Sequence, residues 1–282
     1  MQKYFTDLAP SYTKSTGNTT RSVVEQLLDD VKLGITGNSL IHDNACGDGT
    51  ATAAVIDFCA SRAIHPPKIT ATDCNEAMVE ATKKRQTEAG SNWSNVTVEL
   101  QDSHRLTNFK DDLFHFSFCN MSINTFAQPL KVLYEIHRTL RPAGIAVVSI
   151  WKRFGVADVM RNAQRKVKGE EFDGEVKPPG ADMTKEGVIA NLMYISGWEL
   201  GKIKTLQKDV LVKEGTPEFN DLKQALLEGK EFAWVRAGWS DEENAKWPQA
   251  LDEAMKEEVA QHGGLLLEAW VTLGRKWDAL YA

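Results

Sequence analysis

Between Ser39 and Trp151 five short apolar or β-prone runs recur: "SLIHDN", "KITATD", "VTVELQD", "LFHFSFCN" and "IAVVSIW". Helix-like stretches separate the first three, "TATAAVIDFCASRA" and "NEAMVEATKKRQTEAG", and another, "PLKVLYEIHRTLRPAG", precedes the fifth. This alternation leaves few architectures. Strands joined by helical crossovers run parallel, and a parallel sheet has to be covered on both faces. The first 152 residues therefore predict a doubly wound, Rossmann-like α/β domain. Two later runs, "KIKTLQKDVLV" and "LLLEAWVTLGRKW", extend the expectation to a mostly parallel sheet of seven strands.

Around this sheet the chain reads as one domain, residues 1–282, with three attachments. "TTRSVVEQLLDDVKL" carries an amphipathic stripe at Val23, Val24, Leu27, Leu28 and Val31, with Ser22 and Glu25 in capping-box spacing, and belongs to an N-terminal helical cap over 1–35. Residues 153–182, after the fifth strand, are charged, carry Gly and Pro and show weak periodicity, and they are expected to form a lid or insertion. Residues 207–262 are expected to form a helical insertion on the substrate side, with a second Ser-x-x-Glu start at Ser240 and Glu243 and a break or kink at Pro248.

Composition excludes several function classes. Acids outnumber bases by 39 to 33, a net charge of −6, so the chain lacks the positive field that a nucleic acid needs. "KKR" at Lys83–Arg85 reads as a solvated helix face. No run of apolar residues is long enough to span a bilayer and the start lacks a secretory leader, so a soluble, cytoplasmic protein is expected. Cys46, Cys59, Cys74 and Cys119 show neither C-x-x-C pairing nor nearby His at ligand spacing, which suggests reduced thiols, no disulfide framework and no metal site.

The chemistry concentrates in "IHDNACGDGT", where Gly47 and Gly49 follow a strand and precede a helix. That is where backbone approaches a ligand and a helix N-terminus lends partial positive charge. The dinucleotide spacing G-x-G-x-x-G is not met, since Thr52 holds the third position, and no Gly-Lys-Ser/Thr follows to cradle phosphates. Asp43, four residues before Gly47, would repel a pyrophosphate but suits a cation such as the ammonium and sulfonium of S-adenosylmethionine. Asp73 ends the second strand, where ribose hydroxyls bind in such folds, and Asp102 ends the third, where a carboxylate could accept from an adenine amine. One strand-end Asp is usually a helix cap or a turn former; three in succession after a glycine loop point to a ligand.

On these residues, and on "RPAG" and "ISGWEL", the chain resembles the class I S-adenosylmethionine-dependent methyltransferases over roughly residues 4–206. The nearest likeness is to small-molecule enzymes of the ubiquinone-biosynthesis type and their relatives in fungal secondary metabolism. The resemblance implies that Asp43, Ala45, Gly47 and Gly49 surround the methionine portion of the cofactor, that Asp73 holds the ribose, and that Cys74 and Met78 line the adenine. It further implies that Asp102 and Ser103 meet the adenine edge, that the backbone of Asn120 faces the transferring methyl, and that Tyr12 closes over the cofactor carboxylate, with Tyr4 and Phe5 as alternatives. His104 and His137 read as structural, since a lone His on such segments usually is.

Methyl transfer from a sulfonium asks the protein chiefly to exclude water and to align the acceptor, so a dedicated base is optional. After the fourth strand the chain reads "CNMSINTF", which departs from the Asn/Asp-Pro-Pro-aromatic motif of amide-methylating relatives and disfavours such acceptors. Trp151 and Phe154 stand beside the expected lid as candidate walls for a flat, apolar, small-molecule acceptor, and Trp234, Trp239 and Trp247 serve either that pocket or packing. Two other classes stay open: a methyltransferase acting on protein or RNA, and a cofactor-binding regulatory subunit without turnover. The sequence names neither the acceptor nor the oligomeric state.

Overall fold

The computed structural model describes residues 2–172 and 181–277. In chain order the elements are α1 (Gln2–Leu8), α2 (Tyr12–Ser15), α3 (Thr19–Asp30), β1 (Leu40–Asn44), α4 (Thr50–Ser61), β2 (Lys68–Asp73), α5 (Glu76–Ala89), β3 (Val96–Leu100) and β4 (Phe114–Cys119). They continue with α6 (Pro129–Thr139), β5 (Leu140–Phe154), α7 (Gly155–Lys168), α8 (Val188–Ile195), β6 (Ile203–Lys213), α9 (Pro217–Glu228), α10 (Asp241–His262) and β7 (Gly264–Arg275).

The seven strands form one sheet in the order β3-β2-β1-β4-β5-β7-β6. β1 to β5 pair in parallel, and β7 lies antiparallel between β5 and β6. The expected mostly parallel, doubly wound sheet is thus the fold. The alternation of side chains along β5 shows how it is covered on both faces: Val147 joins an apolar cluster with α3, α4, α7, α9 and α10, while Ala146, Val148 and Ile150 join a second cluster with α6 and α8. With β1 between β2 and β4, the crossovers diverge to either side of β1, and the crevice beyond its carboxyl end is where such sheets bind ligands.

Several local expectations change. α3 begins at Thr19 rather than at Ser22, because Ser22 already lies inside the helix and donates to the Asn18 carbonyl, while Glu25 pairs with Arg21. Residues 155–168 form a helix that packs as a structural layer: Val156, Ala157, Val159, Met160 and Ala163 are all buried. Their stripe reads weakly in sequence because alanines supply part of it. Residues 173–180 of the expected lid lie outside the described residues. The expected insertion at 207–262 starts inside β6, whose pairing with β7 runs on to Lys213. Pro248 does not break α10, which runs from its Ser240–Glu243 capping box to Gly263; tertiary packing of Trp247, Leu251 and Met255 outweighs the one lost backbone hydrogen bond. Trp247 is fully buried, with its indole N–H donating to the Leu226 carbonyl, so it packs helices.

A candidate ligand site at the carboxyl edge of the sheet

The turn out of β1 depends on left-handed backbone. Ala45, Gly47 and Gly49 have φ of 58°, 57° and 81°. The two glycines serve different ends. A Cβ on Gly47 would meet nothing within 4 Å, so this glycine supplies conformation beside open space; a Cβ on Gly49 would stand 3.0 Å from Thr82 Cγ2 and 3.1 Å from Trp93, so that one permits close packing. Ala45 has no such licence. Its strained conformation at the cavity wall is matched by Met121 after β4, at φ 54°.

Hydrogen bonds fix the turn from three sides. The Gly47 amide donates to Asp73 Oδ2 at 2.9 Å, the Cys46 amide to the Thr72 carbonyl at 2.9 Å, and Thr82 Oγ1 to the Gly47 carbonyl at 2.7 Å. The other oxygen of Asp73 accepts from the Asn75 amide at 2.9 Å. Asp43 Oδ2 accepts from both the amide and the hydroxyl of Thr52, at 2.9 and 2.6 Å, so the first turn of α4 is capped by a carboxylate from the strand before it. Burial pushes the Asp43 carboxyl up to about 6; the nearby Asp73 and Asp48 charges add to this and the Thr52 donors oppose it. Burial raises Asp73 as well, against the pull of its backbone donors.

Asp48, between the two glycines, faces the N-terminal segment. It accepts from Thr50 Oγ1 at 2.6 Å, Thr13 Oγ1 at 2.7 Å and Arg85 Nη2 at 2.8 Å, and Arg85 also donates to Thr13. Asn75 Nδ2 donates to Thr6 Oγ1 at 3.0 Å. These contacts draw α1 and α2 over the strand ends, where Phe5 and Tyr12 close a cavity of about 180 Å³. Burial, with Asp48 nearby, keeps the Tyr12 phenol protonated.

The cavity brings together Tyr12, Asp43, Ala45, Gly47, Asp73, Cys74, Met78 and Asn120. Cys74 is exposed and Met78 is buried at the base of α5. The Asn120 side chain is held in place, donating to the Thr20 carbonyl at 3.1 Å and accepting from Ser149 Oγ at 2.6 Å. Burial holds the thiols of Cys46 and Cys119 high, the latter to about 12, so neither is a ready nucleophile.

Other candidates lie elsewhere. Gly49 packs against α5, and Ser103 is buried and donates to Asn44 Oδ1 at 2.7 Å. Asp102 is 60% exposed and is engaged by His104, which itself lies in the cavity wall. His137 stacks edge-on to Trp198 at 4.8 Å, and burial lowers its imidazole to about 4, in keeping with a packing role. Trp151 and Phe154 stack at 5.9 Å and line a separate depression of about 250 Å³ with Asn124 and Arg161. Asp48, Thr20, Met121 and Phe126 carry no expectation from the sequence, and His104 reads there as structural, yet all of them except Asp48 line the cavity. Only the repeated acid in "GDG" and the "DSH" triplet after β3 carried any signal for them.

Residues 42–148 match a family model described as a methyltransferase domain. Among curated proteins, the methyltransferase tpcH of Aspergillus fumigatus is 27% identical over 131 residues, 46% of this chain and 45% of that protein. The methyltransferase ktnA of Aspergillus niger is 26% identical over 187 residues, 60% of this chain and 61% of that protein. The matched stretches thus span about half to three-fifths of these relatives. Among solved structures, a Haemonchus contortus N-methyltransferase in complex with phosphomonomethylethanolamine and S-adenosylhomocysteine superposes with a TM-score of 0.52 at 14% identity, covering 96% of this chain and 59% of that one. That likeness is one of fold.

Proposed function

We propose that this chain, whose core is a class I methyltransferase domain, takes the methyl group from S-adenosylmethionine and delivers it to an oxygen, sulfur or nitrogen atom of a small, largely apolar metabolite. The observation that carries the reading is the joining of Asp43, Asp73 and the Gly47 turn in one largely apolar cavity at the carboxyl ends of β1 and β2. A polyanionic cofactor does not suit such a wall, whereas a nucleoside with a cationic sulfur does.

The residues present fit that group. Open space beside Gly47 leaves room for backbone contact, and Asp73, already fixed by the Gly47, Asn75 and Cys74 amides, keeps lone-pair capacity for a ribose hydroxyl. Met78 and Cys74 offer an apolar and polarizable flank for a base. When bound, the cofactor supplies an activated methyl that needs no acid or base to leave. The chain's own work is then to position and to dry. Phe5 and Tyr12 exclude water on the N-terminal side, and Ser149 and Thr20 hold Asn120 at the end of β4. The tyrosine remains neutral and adds no charge beside a sulfonium.

The curated fungal relatives are named as methyltransferases, and the net charge of −6 speaks against RNA as the acceptor. Trp151 and Phe154, in the separate depression that Asn124 also lines, remain the proposed acceptor contacts. A labelled-methyl assay against a panel of phenols, thiols and amines tests the reading. Transfer to at least one of them is expected, and transfer confined to protein or RNA rejects the acceptor class.

A further inference from the structure

Ser149 brings the one hydroxyl into the apolar run "IAVVSIW" of β5, and it is 1% exposed. A polar group buried in such a strand needs partners. It finds two, both in the turn after β4. Ser149 Oγ donates to Asn120 Oδ1 at 2.6 Å and accepts from the Met121 amide at 3.0 Å. Sheet register sets this up: Cys119, the last residue of β4, lies opposite Val148, so the next residues of the two segments stand side by side.

Met121 is left-handed at φ 54° although it is not a glycine, and such a conformation persists only where its surroundings fix it. With Oδ1 on Ser149, the Asn120 carboxamide is oriented so that Nδ2 donates to the Thr20 carbonyl at 3.1 Å, at the start of α3. Asn120, Met121 and Thr20 all line the cavity, and Ser149 is buried behind them. One hydroxyl thus fixes both backbone and side chain of the wall at the end of β4.

We infer that Ser149 is a positioning residue for the transferring methyl: it holds the Asn120–Met121 turn against the sulfur of the bound nucleoside without touching the ligand itself. The inference rests on the S-adenosyl reading of the cavity and adds to it the residue that aligns the methyl-bearing end. S-adenosylmethionine and S-adenosylhomocysteine share every group except the methyl and the positive charge that comes with it. A methyl polarised by a cationic sulfur makes weak C–H···O contacts, which depend on close approach. Release of the turn from Ser149 therefore weakens the methylated form more than the demethylated one, whereas a purely structural loss falls on both alike.

Calorimetric titration with S-adenosylmethionine and S-adenosylhomocysteine tests this on the unaltered protein, Ser149→Ala and Ser149→Thr. Ser149→Ala is expected to lower the ratio of the two affinities, methylated over demethylated, by about threefold to fivefold, the scale of one weak C–H···O contact. Ser149→Thr keeps the hydroxyl and is expected to keep the ratio. Should Ser149→Ala not fold, Ser149→Cys fills the same space with a weaker hydrogen-bonding group and is expected to shift the ratio the same way. A ratio that is unchanged or raised in Ser149→Ala, affinities that fall equally, or a threonine variant shifted as far as the alanine one overturns the inference while leaving the cofactor reading standing. Failure of the unaltered protein to bind either compound overturns both.

Discussion

The Asp73 carboxylate reaches from the end of β2 to the Gly47 amide at 2.9 Å, joining the acid of one strand to the glycine turn that follows its neighbour β1. One side chain therefore shapes the turn and is the proposed ribose contact. Asp73→Ala is expected to weaken S-adenosylhomocysteine binding by about 1–3 kcal/mol, the range for a charge-assisted hydrogen bond. It should also speed hydrogen exchange at the Gly47 amide. Unchanged affinity in the titration would remove Asp73 from the site.

Asp43 makes the site sensitive to pH. Its carboxyl in the folded chain titrates near 6, against 3.8 as the ordinary value, so the folded state holds that proton more tightly than the unfolded state does. Its stabilising contribution is full below pH 3.8 and is lost as pH rises through about 6. A cationic ligand inverts the preference because it needs the ionised form. Affinity for S-adenosylmethionine is expected to rise with pH up to about 6, by roughly tenfold per unit below that point, and then to level off. Asp43→Asn should remove most of this step; a flat profile in the unaltered protein contradicts the electrostatic role.

The N-terminal helices are latched to the glycine turn through Thr13, Asp48 and Arg85, of which Asp48 is almost wholly buried. Thr13→Val or Arg85→Met removes part of this latch without touching the cavity wall. Dissociation of S-adenosylhomocysteine is expected to quicken by about fivefold, the equivalent of one hydrogen bond worth about 1 kcal/mol. Stopped-flow displacement measures this, and limited proteolysis should show earlier cleavage before Thr19.

Stability and binding separate at the Arg153–Glu258 pair, where two parallel contacts of 2.8 and 2.9 Å tie β5 to α10. Glu258 is 6% exposed. Glu258→Ala leaves a guanidinium short of its main partner and is expected to cost about 3 kcal/mol in a urea melt. Replacing both residues, Arg153→Met with Glu258→Leu, should cost less than the single change. Nucleoside affinity of the folded protein is expected to be unchanged in either case.

The sheet was legible because its strands are bounded by sharp changes of composition. "KITATD" matches β2 residue for residue, and the Ser240–Glu243 box marks the start of α10. α7 was not legible because Ala157 and Ala163 build its buried stripe, and alanine reads equally as surface. In the site, acids at strand ends were visible, but their partners were not. That Asp43 serves Thr52, and that Asp102 is claimed by His104, are facts of side-chain direction that strand spacing does not encode. Phe126 and Thr20 reach the cavity from segments without any motif, through tertiary packing alone.

The central claim is that a sulfonium nucleoside lies across the ends of β4, β1, β2 and β3. A crystal structure with S-adenosylhomocysteine tests it most directly. The expected result is the thioether beside Gly47 and Asn120, the ribose hydroxyls on Asp73 and the base against Met78 and Cys74; a nucleoside bound elsewhere, or Asp43 and Asp73 facing away from it, would contradict it.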